Sequence, residues 1–197
     1  MRLILASGSA TRSSLLQAAG VPFEVRASTV DERAVETPLI AAGKSPAEVA
    51  LALAEAKALE VSRLEPEALV IGADQTLDFT GALWVKPASP AAAREQLALL
   101  SGHTHQLHSA VALAEQGAVT WRHVDTARLT VRTLSDAAID AYLAAAGERV
   151  TASVGAYQIE GFGIRLFEKI EGDHFTILGL PLLPLLARLR TVGVLPW

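Results

Sequence analysis

A few charged side chains, far apart in the sequence, are of the types that act on phosphate groups. Asp74 follows the apolar run 68–73 (ALVIGA), and a carboxylate at the C-terminal end of a buried strand lies where open α/β sheets bind ligands. Asp74 could bind magnesium or orient a water, although aspartates are equally common as turn residues. Lys57 and Lys86 could neutralise phosphate charge, while most lysines are simply solvated.

The segment Ser7-Gly8-Ser9 lies between a predicted strand and a predicted helix. The N-terminus of a helix offers unpaired N–H groups and partial positive charge, so it suits a phosphate group. Small residues in the turn would let a ligand approach the backbone, and Arg12, about one turn into the helix, adds a fork of N–H donors. The alternative interpretation is an ordinary capped helix with a surface arginine.

Two further groups of residues could bind metal ions. Asp31, Glu32 and Glu36 form an acidic stretch, and magnesium is typically held by one or two carboxylates together with substrate phosphates. A solvated acidic loop is the alternative. His103 and His105 occupy alternate positions of a predicted strand, with His108 nearby, and could chelate zinc. Since no third zinc ligand is evident, two hydrogen-bonded histidines fit the pattern better.

The elements that must position these residues follow from apolar patterns and helix-start signals. Ser45-Pro46-Ala47-Glu48 combines a capping box with a proline at the first helical position. We predict strands at 3–6, 23–27, 68–73, 76–79, 83–85, 105–114, 119–131 and 164–170, and helices starting near Ser9, Ser45, Ser89, Ser135 and Pro181. Strand–helix units surround a long antiparallel hairpin, which predicts an α/β fold with a mixed sheet. The segment from Thr29 to Lys44 reads as a long irregular loop, of the length of a functional lid.

Composition limits the class of protein. The 197 residues suit one domain, residues 1–197, and 51% of them are hydrophobic. There is no cysteine, which excludes disulfides and thiolate chemistry. The net charge of −4 argues against binding a nucleic-acid polymer. We find no signal peptide and no apolar run of membrane-spanning length, so we expect a soluble cytoplasmic protein that does not bind a membrane.

Taken together and in order, segments along nearly the whole chain resemble the Maf family of nucleotide pyrophosphatases. The matching segments are LILASGSATRSSLL at the start, Asp31-Glu32, Ala-Lys57-Ala, IGAD ending at Asp74, Lys86-Pro87, LSGHTH ending at His105, GAYQIEGFGI from Gly155, IEGD ending at Asp173, and LGLPL from Leu178. The resemblance implies an α/β fold with an extended twisted mixed sheet flanked by helices, two lobes around a central cleft, and a homodimer. It also implies hydrolysis of a nucleoside triphosphate between the α- and β-phosphates with Mg²⁺ or Mn²⁺.

The resemblance assigns roles residue by residue. Asp74 matches the catalytic carboxylate that accepts a proton from the attacking water, and Glu32 matches an acidic position of the cleft, so both are metal-ligand candidates. The phosphate-side positions of the family are matched by Ser9, Arg12, Lys57 and Lys86. These roles agree with the chemistry, because attack on a triphosphate requires charge neutralisation and a positioned water.

Three positions of the family are associated with the choice of base, and here they are Thr11, Gln75 and Glu160. The branch that acts on 7-methyl-GTP typically has Trp, Gln and Glu at these positions, and the dTTP/UTP branch has Arg, Thr and Gln. This chain matches the first branch at two positions, which predicts a 7-methyl-GTP-like substrate. Thr11 is the departure, because it lacks an aromatic face to stack on a cationic methylated base.

Two other functions compete with this prediction. One is dTTP/UTP hydrolysis within the same family. The other is a nucleotide-binding regulator of cell division with little catalysis, suggested by the description of the family as septum-formation inhibitors. The presence of Asp74 with Arg12, Lys57 and Lys86 favours an enzyme, because binding alone does not require a carboxylate that activates water.

Overall fold

A seven-stranded mixed sheet forms the centre of the computed structural model, which describes residues 2–197. The strands are β1 (Arg2–Leu5), β2 (Glu24–Val25), β3 (Ala68–Phe79), β4 (Ala82–Trp84), β5 (Thr104–Glu115), β6 (Ala118–Val131) and β7 (Phe167–Glu171). Their order is β2-β1-β3-β5-β6-β7, with β4 paired to β3. The prediction of an α/β fold with a mixed sheet is confirmed.

Six of the seven helices in residues 2–197 begin after a residue whose side chain caps them, and the last begins after Pro181. They are α1 (Ala10–Ala18), α2 (Glu32–Ala41), α3 (Pro46–Leu64), α4 (Pro90–Leu100), α5 (Asp136–Ala146), α6 (His174–Ile177) and α7 (Leu182–Thr191). Ser45 and Glu48 form the predicted capping box of α3, and Ser9, Ser89 and Ser135 cap α1, α4 and α5 as predicted. Single 3₁₀ turns cover 147–151, 154–156 and 162–166.

The predicted irregular loop from Thr29 to Lys44 is wrong, because most of this segment is the helix α2. Asp31 caps α2 by accepting hydrogen bonds from the backbone N–H groups of Arg33, at 3.1 Å, and Ala34, at 3.3 Å. Helix α2 contains Pro38 and buries none of its residues. Val35 and Leu39 are spaced as on one helix face and are partly buried, but Pro38 is a signal against a helix in the sequence.

The strand predicted to end at Ala73 continues as β3 to Phe79, so Asp74 lies inside a strand rather than after one. The parallel partner β1 is shorter, and its last paired residue, Leu5, lies opposite Ile71. Beyond that point β3 pairs with β4 through the turn at Thr80-Gly81, where both residues have positive φ. Asp74 thus follows the end of the β1 pairing, in the middle of a continuous strand.

Smaller differences lie near the ends of the chain. The strand predicted at 23–27 is reduced to β2, and the strand predicted at 164–170 begins only at Phe167, after a 3₁₀ turn. The short helix α6 was not predicted from the sequence. Within residues 2–197, no helix has both the length and the apolar content to cross a bilayer.

The chain forms two compact units. Unit 1 comprises the residues up to Gln75 together with 108–126 and 173–197, and unit 2 comprises 76–107 and 127–172. In unit 1, β1 pairs in parallel with both β2 and β3. In unit 2, the second part of β6 pairs antiparallel with β7, with an irregularity in register after Thr130.

Both faces of the sheet in unit 1 are covered, as the continuous apolar run of β3 predicts. On one face, Leu3, Leu5 and Ile71 pack with Leu16 of α1 and Leu185 of α7. The other face is made mostly of alanine. It brings together Ala50, Ala54 and Ala58 of α3 with Ala110, Ala112 and Ala114 of β5. Small side chains on both elements let α3 lie close to the sheet.

Candidate active site

Lys57 contacts both of the acidic residues that the sequence analysis predicted as metal ligands. Its Nζ lies 2.6 Å from Oδ1 of Asp74 and 2.5 Å from Oε1 of Glu32. Lys57 and Asp74 are both buried, with 9% and 8% of their surface exposed, whereas the Glu32 side chain is 53% exposed. Two carboxylates and an ammonium group from α2, α3 and β3 therefore converge in unit 1.

Arg12 is oriented by backbone carbonyl groups on two sides. Its Nε donates to the carbonyl of Gly179 at 2.8 Å, and its Nη1 donates to the carbonyl of Ala73 at 2.9 Å and to Oγ of Ser7 at 3.1 Å. Among residues 2–197, no hydrogen bond uses Nη2. The guanidinium is thus fixed beside the residue that precedes Asp74, with two N–H donors left for a ligand.

Ser9 and Thr11 lie at the start of α1, as predicted. Oγ of Ser9 accepts the backbone N–H of Arg12 at 3.4 Å, which is the N-cap bond of the helix. Thr11 occupies the first turn and is partly buried. The N-terminal end of α1 therefore belongs to the same unit as Arg12 and Asp74, and its side-chain cap leaves other first-turn N–H groups available.

The charge of Asp74 is subject to opposing effects. Burial is the largest effect and raises the pKa of the Asp74 carboxyl, while the neighbouring Lys57 and Arg12 lower it and Glu32 raises it. Burial also lowers the pKa of the Arg12 guanidinium, against the opposite influence of Asp74 and Glu32. A raised pKa makes the ionised Asp74 a stronger base, and the two neighbouring cations stabilise that ionised form. Such a carboxylate is suited to accept a proton.

Glu36 is a third carboxylate of this group. It follows Glu32 by one helical turn of α2, and residues four apart share a helix face. Burial raises the pKa of Glu36, as do the negative charges of Glu32 and Asp74, while Lys57 lowers it. The acidic stretch of the sequence thus places two carboxylates on the side of α2 that faces Lys57.

A divalent cation fits the donors of this group. Oxygens of Glu32 and Asp74 both contact Lys57 Nζ, and carboxylate oxygens are the ligands of hard cations, so a metal ion bound by both would displace this ammonium group. Within residues 2–197, no three side chains of His, Asp or Glu converge on a single metal position. A magnesium or manganese ion held by Glu32 and Asp74 would therefore complete its coordination with water or with phosphate oxygens.

Gln75, one of the predicted specificity residues, is bound to the backbone near α6. Its Nε2 lies 3.0 Å from the carbonyl oxygens of both Thr176 and Ile177, and 2.9 Å from Oγ of Ser109. Since an amide NH₂ has two hydrogens, these three acceptors occupy it fully. The Gln75 side chain can therefore offer a nucleotide only its Oε1 acceptor.

Lys86 and Glu160, the remaining predicted site residues, belong to unit 2. Lys86 is exposed and follows β4. Glu160 is exposed in the loop between Gln158 and Gly163, where Gly161 donates its backbone N–H to the carbonyl of Gln158 at 3.2 Å. That Lys86 and Glu160 act at the same site as Asp74 stays a prediction.

The two histidines considered as zinc ligands make other contacts. Nε2 of His105 lies 2.6 Å from the hydroxyl of Tyr157, and His105 is 1% exposed. Nδ1 of His103 lies 2.8 Å from the carbonyl oxygen of Ser101. Both histidines are hydrogen-bonded within the fold, as predicted, although Nδ1 of His105 has no hydrogen-bond partner among the described residues.

Several residues of the site were not found from the sequence. Ser7 orients Arg12, and Glu60 binds the segment that leads into α2. Backbone carbonyls such as that of Gly179 carry no signal in a sequence at all. A polar residue such as Ser109, fully buried in an apolar strand, is a signal that could have been followed.

Comparison with known proteins identifies the family of this chain. The sequence model of the family described as Maf-like protein matches residues 2–192. A "7-methyl-GTP pyrophosphatase" of Rhizobium meliloti (strain 1021) is 57% identical over 98% of this chain and 97% of that protein. A "nucleoside triphosphate pyrophosphatase" of Nitrobacter winogradskyi is 54% identical over 98% of this chain and 95% of that protein.

Among solved structures, a nucleoside-triphosphatase described as a dITP/XTP pyrophosphatase, from Mycobacterium abscessus, matches 100% of this chain and 98% of its own, with 18% identity and a TM-score of 0.44. The match to the family model and the level of identity to the two relatives determine the family. The chain belongs to the Maf-like protein family.

Proposed function

We propose that this protein hydrolyses a nucleoside triphosphate to the monophosphate and pyrophosphate with the help of a divalent metal ion. The observation that carries the proposal is the convergence of Asp74, Lys57, Glu32 and Arg12 in unit 1. The names of relatives at 54% and 57% identity support the same reaction. Mere binding of a nucleotide would not require a buried carboxylate between cations.

In the proposed reaction, Asp74 accepts a proton from the attacking water. Its Oδ1 is bonded to Lys57, so Oδ2 is the oxygen assigned to this role. The water oxygen forms a bond to the α-phosphorus, the bond from that phosphorus to the bridging oxygen breaks, and pyrophosphate leaves. Because pyrophosphate is a stable anion, its departure requires charge neutralisation more than a strong acid.

Positive groups neutralise the phosphate oxygens in this proposal. Arg12 offers the two N–H donors of Nη2, and Lys57 offers its ammonium. Lys86 and the N-terminus of α1 at Ser9 are assigned further phosphate contacts on the basis of the family resemblance. Glu32 and Asp74 would hold a divalent cation, which would supply additional positive charge near the polyphosphate.

We further propose that the substrate is a 7-methyl-GTP-like nucleotide. Gln75 and Glu160 agree with that branch of the family, and the relative at 57% identity bears the name 7-methyl-GTP pyrophosphatase. Thr11 departs from the branch and offers no aromatic ring for stacking. A homodimer and a cytoplasmic location stay predictions of the sequence.

A nucleotide panel with pyrophosphate as the readout tests both parts of the proposal. The panel contains 7-methyl-GTP, GTP, dTTP and UTP, each with Mg²⁺, with Mn²⁺ and with a chelator. We expect 7-methyl-GTP to have the highest kcat/KM and the chelator to abolish turnover. Faster cleavage of dTTP and UTP would reverse the base assignment, and tight binding without pyrophosphate release would favour the regulator instead.

A further inference from the structure

The carboxylate of Glu60, on α3, receives several hydrogen bonds from the segment that leads into α2. Oγ of Ser28 donates to Oε2 of Glu60, and Oγ1 of Thr29 donates to Oε1. The backbone N–H of Thr29 also donates to Oε2, at 2.9 Å. Both oxygens of one carboxylate are thus engaged by two consecutive residues of the segment 28–30.

This contact lies one helical turn from the proposed reaction centre. Glu60 follows Lys57 by three residues of α3, so the two side chains share a face of the helix. Lys57 contacts Glu32, the first residue of α2. Helix α3 therefore holds the short stretch from Ser28 to Glu32 at two points, one of them through Glu60.

Helix α2 packs against α3, yet none of its residues is fully buried. Val35, Glu36 and Leu39 are only partly buried, so apolar packing contributes modestly to the position of the helix. The ion pair of Lys57 with Glu32 involves a half-exposed carboxylate, and such pairs contribute little on their own. Hydrogen bonds to a charged carboxylate are stronger than those between neutral groups, so Glu60 is the firmer of the two attachments.

We propose that Glu60 is a positioning residue: its carboxylate fixes the start of α2 and thereby holds Glu32 beside Lys57 and Asp74. The role of Glu60 in turnover rests on the hydrolysis proposed above, whereas its role in fixing α2 does not. Loss of the contact would let Glu32 move away from its partners while leaving the cores of both units intact. A displacement of about 1 Å in such a group can reduce turnover by orders of magnitude.

The test compares Glu60→Gln with Glu65→Gln. Glu65 lies at the C-terminal end of the same helix, and it likewise accepts hydrogen bonds, from Arg2 and Arg26. Glutamine removes the negative charge and keeps only one acceptor oxygen, so the three hydrogen bonds that the carboxylate accepts cannot all be kept and none stays charge-assisted. Amide hydrogen exchange of residues 29–41 reports on α2 without requiring activity, and kcat/KM with magnesium reports on turnover.

We expect Glu60→Gln to accelerate exchange in 29–41 and to lower kcat/KM by about tenfold, at an unchanged unfolding temperature. Glu65→Gln should change neither the exchange rates of residues 29–41 nor kcat/KM. In a Glu32→Gln background, Glu60→Gln should lower kcat/KM no further, because it acts through Glu32.

Wild-type exchange rates in Glu60→Gln would overturn the inference. The inference would also be overturned if the losses of kcat/KM from Glu32→Gln and Glu60→Gln multiplied in the double variant, because the two residues would then act independently. If the wild-type protein releases no pyrophosphate, the proposed function fails, and the exchange comparison still decides whether Glu60 holds α2.

Discussion

Gly72 lies so close to Ala54 that no side chain fits between β3 and α3. A Cβ atom built on Gly72 would fall 2.1 Å from the carbonyl oxygen of Ala54 and 2.7 Å from the backbone nitrogen of Ala58. Real Cβ atoms never approach backbone so closely, so even a methyl group would force the helix away. The missing side chain lets α3 bring Lys57 within bonding distance of Asp74.

Replacing Gly72 with alanine should therefore reduce activity beyond its effect on stability. We expect the unfolding temperature to fall, since overpacking costs about 1–3 kcal/mol. We expect kcat/KM to fall by at least about tenfold, because Lys57 is moved relative to Asp74. Thermal unfolding and steady-state kinetics measure the two effects.

Val61→Ala is the matched control for Gly72→Ala. Val61 is buried on the same helix, and truncating it leaves a cavity without pushing α3 from the sheet. At equal unfolding temperature, Val61→Ala should retain most of its activity. An equal loss of activity in both variants would mean that Gly72 matters only for stability.

Asp74→Asn should abolish turnover, while its effects on stability at neutral pH oppose each other. Burial raises the pKa of Asp74, so the stability that its protonated form provides is present at low pH and is lost as the pH rises through the folded pKa. Asparagine is neutral at every pH and avoids this cost. We expect kcat to fall by at least about a hundredfold, the range of a lost general base.

At pH 7, relief of the burial cost opposes the loss of the buried ion pair with Lys57, so we expect the unfolding temperature of Asp74→Asn to change far less than its turnover. Asp125→Asn is the control, because Asp125 is partly exposed and pairs with His123 in unit 1. That variant should hydrolyse at the wild-type rate. An Asp74→Asn variant that retains most of its turnover would contradict the assignment of Asp74 as the group that accepts the proton.

Arg12→Lys should lose activity although the charge is kept. Lysine cannot bond simultaneously to the carbonyls of Ala73 and Gly179 while also offering two N–H groups to a phosphate. We expect kcat/KM to fall by about tenfold to a hundredfold, on the order of one lost charged hydrogen bond. Arg33→Lys on α2 is the control. Equal losses of kcat/KM in the two variants would contradict the proposal that the guanidinium of Arg12 is required for its several simultaneous hydrogen bonds.

The stability of the protein should fall between pH 6.5 and pH 4 because of His105. Burial lowers the pKa of His105 to about 4 from 6.5, so the unfolded chain takes up a proton over this range while the folded chain does not. The stability is present above pH 6.5 and is lost as the pH falls, by up to about 3 kcal/mol. Denaturant unfolding at several pH values measures this slope.

His105→Gln should flatten that slope while keeping a polar partner for the Tyr157 hydroxyl. His103→Gln is the control, because His103 is exposed and should leave the slope unchanged. A slope unaffected by His105→Gln would assign the acid sensitivity to other groups.

The sequence predicted the elements that carry the candidate site better than the geometry that joins them. Caps such as Ser45-Pro46 and the apolar run before Asp74 are local signals, and the structure contains the elements they predict. Helix α2 was not predicted, although Asp31 caps it and Val35 and Leu39 share one face, because Pro38 within it is typical of a loop.

The position of Asp74 within β3 could not be predicted locally. It depends on where β1 ends, at Leu5, and on the pairing of β4 further along. The orientation of Arg12 depends on the Gly179 carbonyl, from a distant stretch of chain. Both are tertiary relationships between backbones, which side-chain types do not encode.

The alanine layer between α3 and β5 sets the distance between the helix and the sheet. Alanine is usually tolerant of exchange, yet here Ala54 and Ala112 act as spacers of minimum thickness. Enlarging any one of them would tilt the helix that carries both Lys57 and Glu60. Substitutions should therefore reduce function most where the side chains are smallest. A series of valine substitutions along this layer would identify the alanines that hold α3 in the position the candidate active site requires.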